Sequence, residues 1–215
     1  MLSRNLKGLM TKEASGVGSA TATYQDTASR DGAQTSTHTH SSISFGTVSA
    51  NNYICVAVGV FTSNANRQPS SVTAGGVTLT EISGDNGGSS AQYVYVGKHN
   101  ATSGDVVVNF TDNISTSGIG VWNIEANSET PYASISNSFV STIDVNVPEG
   151  GCVVCACMEQ NGSAVTFTGV DEDYDYDMRS NEYISGGHRN ELSADITYTI
   201  SVTSERRVMT ALSWE

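Results

Sequence analysis

Residues 171 to 182, DEDYDYDMRSNE, crowd six carboxylates into twelve positions. Hard oxygen ligands at this density suit Ca²⁺: Asp171, Asp173, Asp175 and Glu182 fall at positions 1, 3, 5 and 12 of a twelve-residue calcium loop, with Asp177 at position 7. Position 6, where the sharp turn wants glycine, is Tyr176, and no helical pattern flanks the segment. A solvated acidic loop is the competing expectation.

A second constellation is GGCVVCACM, which spaces Cys152, Cys155 and Cys157 as C-x-x-C-x-C. If it is a strand, side chains alternate, so Cys155 and Cys157 share one face and Cys152 takes the other. Three strand steps separate two Cα atoms by about 10 Å, whereas both sulfurs of a zinc knuckle must lie about 2.3 Å from one metal. The same separation excludes a Cys152–Cys155 disulfide. Cys55 sits in another strongly apolar run, so the thiols are expected as small core hydrophobes. A bridge from Cys55 to one of the other three, or a metal with His188 as a further ligand, remains open.

STHTHSS puts His38 and His40 on one face of an extended segment, where they could chelate a transition metal or an ion on the axis of a trimer. Two imidazoles without a carboxylate do not complete such a site, and an exposed polar strand edge or loop is the alternative. Tyr93, Tyr95, Trp122, Tyr174, Tyr176 and Tyr183 are candidates for a sugar platform, with Tyr93 and Tyr95 on a common face as glycan-binding residues. Against that, Trp122 and Trp214 are expected to fill a β core, with tyrosines packed at strand ends. Nucleophile-elbow and phosphate-cradling motifs do not occur, and no carboxylate pair stands out for glycosidic chemistry. Catalytic and cofactor residues are therefore assigned to no position, and a hydrolase acting on surface polysaccharide is the least favoured class.

The elements that must position these residues are strands. Ser and Thr supply 53 of 215 residues and Gly another 21, against 3 Pro and 15% charged residues, a composition for short strands and polar turns. Period-two alternation with turn signals about every ten residues predicts an antiparallel β-sandwich, jelly-roll-like, over residues 21–215. About a dozen strands are expected, at 42–48, 53–61, 71–82 (a hairpin across Gly75-Gly76), 91–99, 104–110, 117–126, 132–139, 141–148, 151–158, 164–170, 195–202 and 207–214. Residues 1–20 differ: Arg4, Lys7 and Lys12 accompany Leu2, Leu6, Leu9 and Met10 on one helical face, and ASGVGSA then breaks the pattern. This short N-terminal arm is expected to anchor the domain to a partner, a frayed terminus being the alternative. The formal net charge of -12 argues against nucleic acid, and no apolar run is long enough for a membrane span or a secretory signal.

SISFGTVSANNYICVAVGV, SSVTAGGVTLTEIS, ATSGDVVVNFTDNISTSGIGVWNIEA, VPEGGCVVCACM, VTFTGVDEDYD and the closing RVMTALSW together resemble tailed-phage virion proteins with β-sandwich domains. The resemblance covers about residues 42–214 and consists of strand and turn patterns without catalytic residues. In that group the strand at GGCVVCACM is usually aliphatic or alanine-rich, and cysteine here is a departure that puts redox state in question. What the resemblance implies is a non-enzymatic capsid decoration, head-fibre or tail-fibre protein, made in the host cytoplasm and ending in the virion. Its implied partners are other virion proteins, further copies of itself, with a trimer as the case considered, and in the fibre alternative a host-surface glycan.

Overall fold

A computed structural model of the chain describes residues 19–62, 66–160, 162, 164–193, 196–203 and 207–215, and the statements below concern these. The expected arm lies outside them, Leu2, Leu6, Leu9 and Met10 included. All regular structure is antiparallel β: β1 (Thr21–Ser44), β2 (Asn52–Phe61), β3 (Pro69–Ala74), β4 (Val77–Thr78), β5 (Thr80–Gly87), β6 (Ser90–Lys98), β7 (Ser103–Glu125), β8 (Ala133–Ser138), β9 (Thr142–Val147), β10 (Cys152–Gln160), β11 (Phe167–Thr168), β12 (Asp171–Asp177), β13 (Glu182–Arg189), β14 (Ile196–Val202) and β15 (Arg207–Trp214). The expected sandwich is present, and it is built in three layers.

The first layer is a seven-stranded sheet, β4-β3-β7-β2-β6-β5, with β1 paired along the other side of β7. Strands this long must bend, and β1 does so at register shifts after Tyr24, Asp31, Thr35 and His40. The sheet therefore rolls around its own apolar face. Val56 and Val58 of β2, Val72 of β3, Tyr95 of β6, Val106 and Val108 of β7 and Ile43 of β1 meet in one buried cluster. The second layer is the sheet β12-β13-β10-β15-β8, and the third is β11-β14-β9.

Two further apolar clusters join the layers. Between roll and central sheet lie Tyr53, Cys55 and Ala57 of β2, Trp122 and Ile124 of β7, and Cys152, Val154, Ala156 and Met158 of β10. On the far side of the central sheet, Val153, Cys155, Cys157, Met209 and Ala211 pack on Ile143, Val145, Phe167 and Ile200. The centre of β10 thus has an apolar layer on each face, which is why its sequence is a continuous apolar run and not an alternating one. Each fully buried Trp, Ile or Met contributes about 1.5–3 kcal/mol of transfer free energy, so three stacked clusters hold a chain with few charged pairs.

The Gly75-Gly76 hairpin forms as expected: Ala74 pairs with Val77 across a two-residue turn, and both glycines take positive φ (55° and 81°), the geometry that matches strand twist. Other expectations shift. Ser42–Val48 was expected as one strand, yet β1 ends at Ser44 and begins at Thr21. Residues 104–110 and 117–126 belong to a single strand, β7. Of 164–170 only Phe167 and Thr168 are extended, and the acidic segment expected as a loop is a strand that pairs with β13.

Candidate functional site

The acidic segment does not form a calcium loop. Strand geometry gives its carboxylates separate duties: Asp175 accepts from Ser185 Oγ, and Asp173 accepts from Trp122 Nε1 (2.6 Å) and from His188 Nδ1 (2.8 Å). Asp171 lies at the exposed start of β12, while Glu182 opens β13 and is buried opposite Gln160. No three His, Cys, Asp or Glu side chains among the described residues converge as a metal site. Glu182 Oε2 is buried without a hydrogen-bond partner among these residues, and desolvation, assisted by Asp31 and Asp177, pushes its carboxyl up to about 7 against the pull of Arg179.

Asp173 is the hub of a polar and aromatic cluster on the rim between the first two layers. Its carboxylate is nearly enclosed, the His188 ring is about one-fifth exposed, and the hydrogen bond from Nδ1 raises the imidazole above its ordinary value. Trp122 packs against Tyr174, and Tyr24 stacks on Tyr174 at 5.6 Å between ring centres. Burial and the neighbouring Asp26 and Asp173 push the Tyr24 hydroxyl up to about 12. The tyrosines are therefore neutral packing groups, and the carboxylate orients His188 while satisfying the buried indole N–H.

His38 and His40 stand inside the roll, not on an exposed edge. They are 0% and 3% exposed, since β1 pairs them with Val108 and Val106, whose side chains enter the same apolar cluster. His38 Nε2 lies 3.0 Å from the Ile114 carbonyl, its Nδ1 2.6 Å from Ser117 Oγ, and that hydroxyl 3.3 Å from His40 Nε2. A carbonyl can only accept, so Nε2 of His38 carries its proton and Nδ1 accepts from Ser117. Ser117 in turn accepts from His40 Nε2. One directed chain, His40 to Ser117 to His38 to Ile114, satisfies all three side chains with both rings neutral. Burial lowers both imidazoles, His40 to about 4, and Arg30 adds to the effect. Ser117 is fully buried, so this serine beside an imidazole has no path to a substrate.

The sugar-platform candidates Tyr93 and Tyr95 are also enclosed, each 3% exposed in the same cluster. Tyr93 Oη accepts from Asn86 Nδ2 at 2.7 Å, and Tyr95 Oη donates to Glu81 at 2.9 Å. They do share a face, as alternation requires, but it is the inner face of the roll. Trp122 and Trp214 are buried as core residues.

All four cysteines are free and buried, so none of the considered bridges forms. Alternation holds: Cys155 and Cys157 enter one layer and Cys152 the other. Cys152 is the thiol that shares a layer with Cys55, close enough for a thiolate on one to raise the other. Burial pushes all four thiols up, Cys152 to about 12, which removes the thiolate that metal binding and exchange both need.

Among the described residues the surface offers hydroxyl, amide and carboxylate groups with isolated aromatics. A polar trough of about 350 Å³ runs between Thr21, Thr23, Gln25, Ser49 and Glu125, floored by Asn123. Asn123 Nδ2 donates to the carbonyls of Phe45 (2.8 Å) and Thr47 (2.9 Å), so the floor holds the chain that leaves β1. Phe139 and Tyr132, which bracket β8, are 60% and 54% exposed. Tyr132 escaped the sequence reading because nothing in NSETPYAS distinguishes its ring from the other eight tyrosines. Pro131 just before it is the one local signal for a chain turning outward onto an edge strand.

Comparisons with protein-family models, curated proteins and solved structures find no match. The class defined by the fold is a layered antiparallel β-sandwich.

Proposed function

We propose that the chain is a non-enzymatic structural protein of a bacteriophage virion, a capsid-decoration or head-fibre sandwich held to the particle by residues 1–20. One observation carries this reading. The buried histidines, the four thiols and Asp173 with Asp175 are all engaged or enclosed within the fold, so a stable scaffold accounts for them without a reacting partner. A chain with 22 carboxylates against 10 Lys and Arg suits a domain displayed at high local density, where like charges keep neighbours from associating. Ala20 and Ala22 are buried in the layer between the first two sheets, so the residues that follow the proposed anchor are fixed in the sandwich.

The test is attachment. Full-length protein should bind assembled particles that lack it, and a variant without residues 2–18, which keeps Ala20, should fold by circular dichroism and fail to bind. Equal binding by the truncated chain overturns the anchoring role, and no attachment of the full-length chain to heads or tails overturns the virion reading.

A further inference from the structure

At the edge where the central and third sheets meet, the fold leaves an aromatic side chain standing in solvent. Tyr132 precedes β8 and is held there by its backbone N–H, which donates to the Ser213 carbonyl at 2.7 Å. Two shallow grooves meet at its ring. One, of about 330 Å³, is lined by Asn127, Ser128, Thr130, Trp214 and Glu215. The other, of about 220 Å³, is lined by Asn146, Val147, Ile196 and Thr197.

We propose that Tyr132 is the stacking platform of a carbohydrate site, and that the two grooves take consecutive sugars of a neutral glycan. A pyranose presents an apolar C–H face ringed by hydroxyls, and the arrangement answers both parts. The Tyr132 ring offers a flat apolar surface of low conformational entropy, and amide and hydroxyl groups stand on both sides of it. Neither platform nor walls need large rearrangement. Trp214, 1% exposed, backs one groove and is tied by Nε1 to the Glu129 carbonyl at 3.4 Å. In the other, Thr197 Oγ1 donates to Asn146 Oδ1 at 3.0 Å, which orients the amide.

Charge selects the class of sugar. Neither groove has a Lys or Arg among its described lining residues, one has Glu215, and the whole chain carries -12, so sialylated or uronic chains are repelled. A second copy of the chain is a poorer occupant. Beside Tyr132 the only large exposed apolar side chain among the described residues of the grooves is Ile196, 40% exposed, which falls short of the apolar centre that a stable interface buries.

The experiment is an immobilised panel of neutral oligosaccharides (glucans, galactans, mannans and N-acetylhexosamine chains) beside sialylated and uronic ones, followed by titration of the best binder. Tyr132→Ala should weaken binding about tenfold or more, as expected for loss of a stacking anchor, while Tyr132→Trp retains it. Phe139→Ala, at the far end of β8, should change nothing. Unchanged affinity in Tyr132→Ala, loss in Tyr132→Trp, binding confined to anionic glycans, or no neutral binder in the panel each overturns the proposal. Particle attachment is measured without any glycan, so a failure here is distinct from a failure of the virion role.

Discussion

Replacing His40 with glutamine isolates one buried proton equilibrium. In the folded chain His40 titrates at about 4, driven down first by burial and then by the neighbouring His38 and Arg30, against an ordinary value of 6.5. The unfolded chain therefore binds a proton that the folded chain refuses, and stability falls with pH between those two values. At pH 5 the linkage integral from 6.5 and about 4 amounts to about 2 kcal/mol, and at pH 4 to about 3 kcal/mol. Glutamine keeps an N–H donor for Ser117 and cannot take up a proton. Its cost at pH 7.5 is an imperfect fit to the space of the ring, and that cost is the same at every pH. Glu182 and His188 titrate oppositely, because both bind protons more tightly when folded, so the raw stability curve of the wild type mixes signs. Both groups are common to the two proteins, and the difference between them removes their contribution. Urea unfolding of both at pH 7.5, 6, 5 and 4.5 should show His40→Gln gaining about 2 kcal/mol on the wild type between pH 7.5 and pH 5. A difference that stays flat to within about 0.5 kcal/mol would refute a neutral buried His40, and with it the directed chain through Ser117.

Other perturbations probe the remaining layers. Glu159 and Arg207 face one another across β10 and β15 at 1% and 0% exposure, 3.8 Å apart, so Glu159→Gln removes the negative member of a buried ion pair and should cost about 3–5 kcal/mol in denaturant unfolding. Gly120 lies under the Tyr174 ring with no room for a methyl group, and Gly120→Ala should cost about 1–3 kcal/mol, relieved in part by Tyr174→Leu in a double-mutant cycle. Because Glu182 is raised to about 7 from 4.5, its ionisation costs stability as the pH rises between those two values and no further above them; Glu182→Gln should leave stability at pH 4.5 little changed, gain on the wild type up to about pH 7 and hold that gain at pH 8. With all four thiols buried and raised, a thiol reagent should label no described cysteine at pH 8 in native buffer and four in urea; rapid native labelling would contradict the burial of Cys55 and Cys152.

The strands were most legible where one physical signal dominated. CVVCACM is a continuous apolar run of strand length and RVMTALSW is apolar at five of its eight positions, and both lie in the central sheet with apolar residues on each face, so the pattern and the burial say the same thing. The acidic strand was misread for the opposite reason. In DEDYDYD the only apolar bodies are two tyrosines, and charge density suggests solvent, yet Asp173 and Asp175 find buried partners on β7 and β13 and Tyr174 packs into the core. Long-range partners make that segment a strand, and no window of local sequence contains them. The same holds for β1, whose first half alternates weakly because Ser, Thr and Gln serve both as rim residues of a bent sheet and as loop residues.

Exposure of the aromatics was the part that residue type and period could not supply. Alternation correctly puts Tyr93 and Tyr95 together, but a period of two assigns side chains to two faces without saying which face the chain later covers. Here the sheet bends around until β3 stands opposite β6, so the shared tyrosine face becomes an interior, and Tyr95 reaches the Pro69 carbonyl across it at 3.4 Å. His38 and His40 follow the same logic: a spacing that could present two ligands to solvent presents them instead to Ser117 and Ile114. Tyr132 differs because it precedes an edge strand, where β8 has a neighbour, β15, on one side alone. An aromatic at such an edge is covered only where another element reaches over it, and Tyr132, with β9 and β14 lining a groove at its side, stays 54% exposed. Candidate binding residues in a rolled sandwich therefore concentrate at the ends of its edge strands, the positions that local periodicity constrains least.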